Sequence, residues 1–258
     1  MKNKAAARAL RFPEQFRITT LVTGIDPTGF IQHFVHAVSF YSFFIAATAE
    51  QQRRSNYILL DSMISRGKSF SGHPDPQVRQ INENFLAQIN QLIQQEALTE
   101  PEKLERSTVI MCRWKAALYG HFSFPEVILL ENGKEITLSF DFNLIAALTG
   151  RTAGQAISHF MRGTAIAVWQ AKQPSQLPDQ FRLFFNASAG LKMETGPHVL
   201  PLNRKYHEKY KVLRKQLQTE KRYRYRLSAW KNFYREWYQE LLAASASPAM
   251  TGKSSAIV

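Results

Sequence analysis

The chain predicts a mostly α fold with a small β component: a helical body, one β-hairpin or ribbon followed by helices, and a long basic C-terminal helix. Three observations predict it. Apolar residues recur at helical spacing in most long segments of the sequence. A single stretch, Phe124 to Phe142 (FPEVILLENGKEITLSFDF), places Asn132-Gly133 between two β-rich runs, the signature of a type I′ hairpin turn. With 258 residues, 45% of them hydrophobic, the chain can bury a full core, and its single cysteine, Cys112, excludes an intrachain disulfide.

From the N-terminus, residues 1–16 read as a basic arm, because MKNKAAARALR carries no acid before Glu14; a solvated start to the first element and an organellar transit peptide are the alternatives. Arg17 to Gly24 (RITTLVTG) is rich in β-branched residues and reads as a short strand. Asp26-Pro27-Thr28 then opens a helix on which Phe30, Phe34, Ala37, Val38, Tyr41, Phe44, Ile45 and Thr48 share a face. Gln32, His33, His36, Ser39 and Ser42 interrupt this apolar run, so Gly29 to Ala47 reads as a buried helix rather than a membrane span. Ser55 to Ser65 continues as a second helix.

Gln77 to Gln95 is amphipathic, with Val78, Ile81, Phe85, Ile89, Leu92 and Ile93 on the apolar side, which packs within the chain or forms a dimer seam. Thr99-Glu100-Pro101-Glu102 supplies a cap and first-turn acids for a helix carrying Leu104, Val109, Ile110, Trp114 and Leu118. Cys112, in VIMCRW, reads as a buried small hydrophobe. After the hairpin over 124–142, whose second arm alternates through Ile136, Leu138, Phe140 and Phe142, Asn143 to Leu148 forms a short helix. Gly150 ends it, and Thr152 caps a helix over 152–171. Residues 172–203 are loop-dominated, with one strand near Phe181 to Phe185. The organisation is thus an arm (1–16), a mainly helical domain (17–200), a basic amphipathic segment (201–243) and a disordered tail (244–258).

Charge points to the partner. Residues 201–243 hold twelve Lys/Arg against four Glu, most of the chain's formal +13, together with six of its nine Tyr. The interleaving is densest in KRYRYR, Lys221 to Arg226, where cations suit phosphates and rings suit bases or packing. Tyr206, Tyr210, Leu213 and Leu217, and again Leu227, Trp230, Tyr234, Trp237 and Leu241, keep helical spacing, with a break near Thr219 to Arg222. Most rings therefore belong to packing and the cations face outward. No Gly-rich phosphate loop, nucleophile elbow or paired-Cys motif occurs, and His33 and His36 lack a third ligand, so no catalytic residue, metal, cofactor or small-molecule substrate is expected.

The strand, short helix, Gly150-Arg151-Thr152 turn and following helix resemble a ribbon-helix-helix DNA-binding unit. The resemblance implies a strand paired across a dimer that offers Thr137, Ser139 and Asp141, flanked by Lys134, to the major groove. Arg151 and Thr152, at the start of the second helix, would meet a phosphate. The basic chain of this size, the α-rich body and the EITLSFDF to GRT segment together resemble AcaB-like transcriptional activators of conjugative plasmids and integrative elements. That resemblance implies a dimeric, cytoplasmic regulator that binds promoter DNA and switches on transfer genes.

The expected DNA-contacting set is Lys134, Thr137, Ser139, Arg151 and Thr152 for sequence preference, and Lys205, Lys209, Arg214, Lys215, Lys221, Arg222, Arg224, Arg226 and Lys231 for phosphate affinity. The partners expected are double-stranded DNA and a second copy of the chain, with no membrane. Two alternatives stay open: a nonspecific DNA-binding accessory protein of a relaxosome-type complex, and an RNA-binding protein that stacks bases on Tyr223 and Tyr225.

Overall fold

Eleven helices and one two-stranded antiparallel sheet make up the regular structure of the described residues, a mostly α fold with a small β component. The computed structural model describes residues 9–41, 50–64, 73–172, 179–188 and 199–246. The helices are α1 (Glu14–Thr23), α2 (Pro27–Ala37), α3 (Glu50–Ile64), α4 (Pro76–Ile93), α5 (Glu100–Tyr119), α6 (Phe140–Leu148), α7 (Ala153–Gly163), α8 (Ile166–Ala171), α9 (Gln180–Ala187), α10 (Val199–Leu217) and α11 (Tyr223–Ala246). The strands are β1 (Val127–Leu129) and β2 (Glu135–Thr137). Two compact units result: one holds residues 9–13, α2 to α7, the hairpin and α9; the other holds α1, α8, α10 and α11.

The first unit is organised around phenylalanines. Phe30 and Phe34 of α2 are fully buried, and Phe34 stacks on Phe160 of α7 with ring centres 3.9 Å apart. Phe142 of α6 and Phe184 of α9 meet Phe34 edge-on. Each such ring contributes on the order of 1.5–3 kcal/mol by leaving water. The segment near Phe181 to Phe185 is therefore helix α9 and not the expected strand: Asp179 caps it by accepting the Phe181 N–H at 3.0 Å, and only Phe184 of the aromatic run is buried. The end of α2 is tied to α3 by buried polar side chains. Ser55 of α3 donates to the Ala37 carbonyl at the end of α2, and Asn56 exchanges hydrogen bonds with the Ser39 backbone. No helix among the described residues is long and apolar enough to cross a membrane; residues 42–47 of the expected 29–47 helix lie outside them.

Helices α4 and α5 pack as a pair. The Glu102 carboxylate accepts from both the N–H (2.9 Å) and the hydroxyl (2.7 Å) of Thr99, which pulls its pKa below the ordinary value. Ser107, Met111, Trp114 and Leu118 form the buried stripe of α5, whereas Leu104 and Val109, expected there, are exposed, as is Ile93 on α4. Cys112 is exposed, contrary to the burial expected from its apolar neighbours, because it lies one position off this stripe. Asn82, fully buried among apolar residues, accepts the indole N–H of Trp114 at 3.0 Å.

The hairpin forms with Ile128 opposite Ile136, but its turn differs from expectation. The Gly133 N–H bonds the Leu130 carbonyl and the Leu130 N–H bonds that of Lys134, so the loop is Glu131-Asn132-Gly133. Gly133 alone takes a positive φ (78°), which makes a three-residue loop with a glycine bulge instead of a type I′ pair. The second strand stops at Thr137. Ser139 accepts the Phe142 N–H and caps α6, so the alternation through Phe142 belongs to a helix from Phe140 onward.

The β-branched run RITTLVTG is helical, within α1. The hydroxyls of Thr19, Thr20 and Thr23 donate to the carbonyls of Gln15 (2.7 Å), Phe16 (2.9 Å) and Thr19 (2.6 Å), so the side chains that argue for a strand satisfy themselves on the helix. The expected 152–171 helix is two, α7 and α8, broken where Ala165 is extended (φ −140°).

Replacing Asn82 with Ala strands the buried Trp114 N–H. A loss of about 1–3 kcal/mol in unfolding free energy is expected, read as a lowered urea midpoint.

Candidate nucleic-acid interface

The second unit is built on one apolar cluster. Ile18 and Val22 of α1, Ala167 and Ala171 of α8, Tyr206 and Leu217 of α10, and Trp230, Phe233, Tyr234 and Leu241 of α11 are buried together. Thr19 of α1 accepts the N–H of Ile166, the first residue of α8, at 3.0 Å. The rings expected to pack do so: Tyr206 lies parallel to Trp237 at 5.3 Å, and Trp230, Phe233 and Tyr234 interlock along α11. Both helices are offset amphipaths. On α10 the exposed Arg204, Glu208, Lys211 and Lys215 repeat at 4, 3, 4, two residues out of phase with Tyr206, Tyr210, Leu213 and Leu217. On α11, Arg224, Ser228, Lys231 and Arg235 run out of phase with the buried ring stripe in the same way.

The acids divide the cations. Glu240 takes Lys205 at 2.6 Å, Glu236 takes Lys209 at 2.6 Å, Glu208 takes Lys211 at 2.8 Å, Glu220 takes Arg222 at 2.9 Å, and Glu14 of α1 takes Arg235 at 3.1 Å. Between α10 and α11 the pairs form a network: the buried Tyr206 hydroxyl donates to Glu236 (3.1 Å) and Glu240 (2.9 Å). Burial and these two carboxylates push the phenol well above its ordinary pKa, while the lysine and tyrosine donors hold both carboxylates below theirs. Arg226 is buried at 6% exposure, its Nε on the Ala171 carbonyl (2.8 Å) and its Nη1 on the Glu220 carbonyl (2.5 Å).

The expected phosphate contacts therefore separate into three groups. Lys205, Lys209 and Arg222 are ion-paired within the unit, and Arg226 is interior. Arg214, Lys215, Lys221, Arg224 and Lys231 have no ion-pair partner among the described residues, and the first four are exposed. Arg204, absent from the expected set, shares that standing, and its place in the 4, 3, 4 outer stripe of α10 is the signal that identifies it. In KRYRYR, Tyr223 (38% exposed) and Tyr225 (55%) remain accessible, and the Arg222 guanidinium sits 5.2 Å from the Tyr225 ring centre.

The other five expected residues lie in the first unit. Lys134 and Thr137 are exposed at the hairpin, but both outer edges of the hairpin are occupied within the chain. Leu10 pairs alongside Leu130, and Gln32 of α2 bonds the Thr137 N–H (2.9 Å) and carbonyl (2.8 Å). Ser139 is the α6 cap. Asp141 receives the Phe40 N–H at 3.0 Å and pairs with Lys115 at 2.5 Å, so both belong to the start of a helix and not to a strand face. Helix α6 closes with Gly150 at φ 71°, the Gly150 and Arg151 N–H groups returning to Ala147 and Ala146. Arg151 is 8% exposed. Thr152 and Gln155 cap each other at the start of α7, so that end already has internal acceptors. His33 stacks on Phe184, and burial followed by His36 lowers its pKa.

Tyr206→Phe removes a hydroxyl shared by two carboxylates, and a destabilisation of about 1–3 kcal/mol is expected by denaturant melt. Because Glu236 and Glu240 titrate below 4.5 in the folded chain, their contribution is full above that value and disappears as pH falls through the lowered values. The double variant Glu236→Gln/Glu240→Gln should lose less stability than the parent between pH of about 6 and about 3. No protein-family model, curated protein or solved structure matches the chain.

Proposed function

We propose that this chain is a DNA-binding transcriptional regulator that works as a homodimer on promoter DNA of a conjugative element, with phosphate affinity supplied by α10, α11 and the loop between them. One observation carries the reading. Of the twelve Lys/Arg in residues 201–243, five are ion-paired and one is interior, which leaves Arg204, Arg214, Lys215, Lys221, Arg224 and Lys231 for an outside polyanion. Neutralising phosphates releases condensed counterions, so such a surplus converts directly into salt-sensitive affinity. The regulatory role follows from the resemblance to AcaB-like activators, and sequence preference is assigned to the exposed Lys134, Thr137 and Thr152 of the first unit.

Binding to duplex DNA followed by fluorescence anisotropy should give log K against log salt with a slope near −5 for about six phosphates. The quadruple variant Arg214→Gln/Lys215→Gln/Lys221→Gln/Arg224→Gln should flatten the slope by roughly 3–4. An unchanged slope, or one near zero in the parent, overturns the electrostatic assignment. Competition by random-sequence DNA separates a regulator from a nonspecific accessory protein of a transfer complex: a regulator keeps a preference of roughly 10³ or more for its own site.

A further inference from the structure

We infer that the joint between α10 and α11 is a binding site for one unpaired nucleotide of a bound strand, its base in the cleft and its phosphate on the rim. The inference rests on the nucleic-acid reading above and adds which part of a strand the joint takes. The cleft has a volume of about 790 Å3, in the range of pockets that hold ligands of this size. Leu213, Leu217 and Ala229 add apolar patches to a lining that is mostly polar, with the Gln216 amide and the Thr219 hydroxyl among its hydrogen-bonding groups. Hydrogen-bonding groups beside apolar patches and a ring suit a nucleobase, whose faces are apolar and whose edges are polar.

Tyr225 also lines the cleft, and it differs from the core rings of the unit. Tyr206 and Tyr234 are held by burial at 0% and 2% exposure, whereas Tyr225 is 55% exposed. Ionic groups hold it instead: the Arg222 guanidinium lies 5.2 Å from its ring centre, and Glu220 fixes that guanidinium through bonds of 3.0 and 2.9 Å. A ring positioned in this way is ordered without being consumed by a core, which is what a stacking platform requires.

Charge decides the orientation of the occupant. Glu220 is neutralised by its pair with Arg222, which leaves Lys221 as the uncompensated charge of the lining. Lys221 at the rim, and Arg214, Lys215 and Arg224 on the flanking helices, have no ion-pair partner among the described residues. The phosphate is therefore placed on these cations and the base on the Tyr225 ring beside them. These cations extend beyond what one phosphate engages, which favours a nucleotide within a strand over a free mononucleotide.

The full chain is titrated with three labelled duplexes: fully paired, carrying one unpaired thymidine, and carrying an abasic residue in place of that thymidine. The duplex with the unpaired base should bind roughly tenfold more tightly than the paired one, and the abasic duplex should lose that gain. Tyr225→Leu should abolish the gain while changing paired-duplex affinity by no more than about twofold, and Tyr225→Phe should restore it. Equal binding of all three duplexes overturns the nucleotide site and leaves the nucleic-acid reading standing. Failure to bind any duplex at low salt overturns both.

Discussion

The interior guanidinium of Arg226 is the constraint on which the second unit depends. A buried cation is tolerated only when its donors are satisfied, and Arg226 meets this by bonding two carbonyls far apart in sequence. One belongs to Ala171, the last residue of α8, where a helix end leaves acceptors open; the other belongs to Glu220, in the loop between α10 and α11. A single side chain thereby ties the end of a short helix to the turn between two long ones. The position of that turn decides where the neighbouring residues point. Arg226 alone of KRYRYR is directed inward; Lys221 to Tyr225, rings and cations alike, are exposed.

The same division explains why formal charge overstates the interface. Four glutamates of the C-terminal segment and Glu14 of α1 each take one cation, and most of these pairs are exposed, so they contribute little individually to stability. Their larger effect is on the field. Lys205 and Lys209, held by Glu240 and Glu236 beside Tyr206, sit within a locally neutral patch between α10 and α11. The uncompensated charge moves to the outer stripe of α10 and to the loop. A polyanion approaching this unit meets a graded surface, neutral at the helix seam and positive at the outer face, and such grading orients a ligand more than a uniform charge would.

Much of the fold could be read from the chain because its signals are local. The Thr99–Glu102 and Thr152–Gln155 caps, the hairpin around Asn132-Gly133, the break near Thr219 to Arg222 and the ring stripes of α10 and α11 each depend on residues within one turn or one loop of each other. Readings failed where β-rich or loop-like composition was weighed above local side-chain capping and above the tertiary packing of the segment. The β-branched α1 is helical because its threonines bond back along the helix and its apolar side is covered by α8 and α11. Helix α9 follows from an Asp179 cap and from the phenylalanine cluster that receives Phe184, neither of which composition conveys. In the candidate interface, the outward direction of the basic residues was legible from periodicity. Which of them are neutralised was not, since Lys205 finds Glu240 35 positions away and Arg226 finds Ala171 55 positions away.

If the proposed DNA-binding role holds, these geometries place affinity and selectivity on different residues. Cations on an exposed helix face recognise phosphate whatever the base beside it, because the interaction is with charge alone. Selectivity needs a group whose position is fixed before the ligand arrives, and the hairpin has that property: Leu10 closes one edge, Gln32 closes the other, and the side chains of Lys134 and Thr137 project from a clamped backbone. The hairpin has two three-residue strands whose outer edges are bonded at Leu129, Glu131 and Thr137, which leaves little edge for a partner strand and favours groove contact through side chains. The rigidity that limits the pairing edge also keeps Lys134 and Thr137 in a fixed register, which is the property a base-reading surface requires.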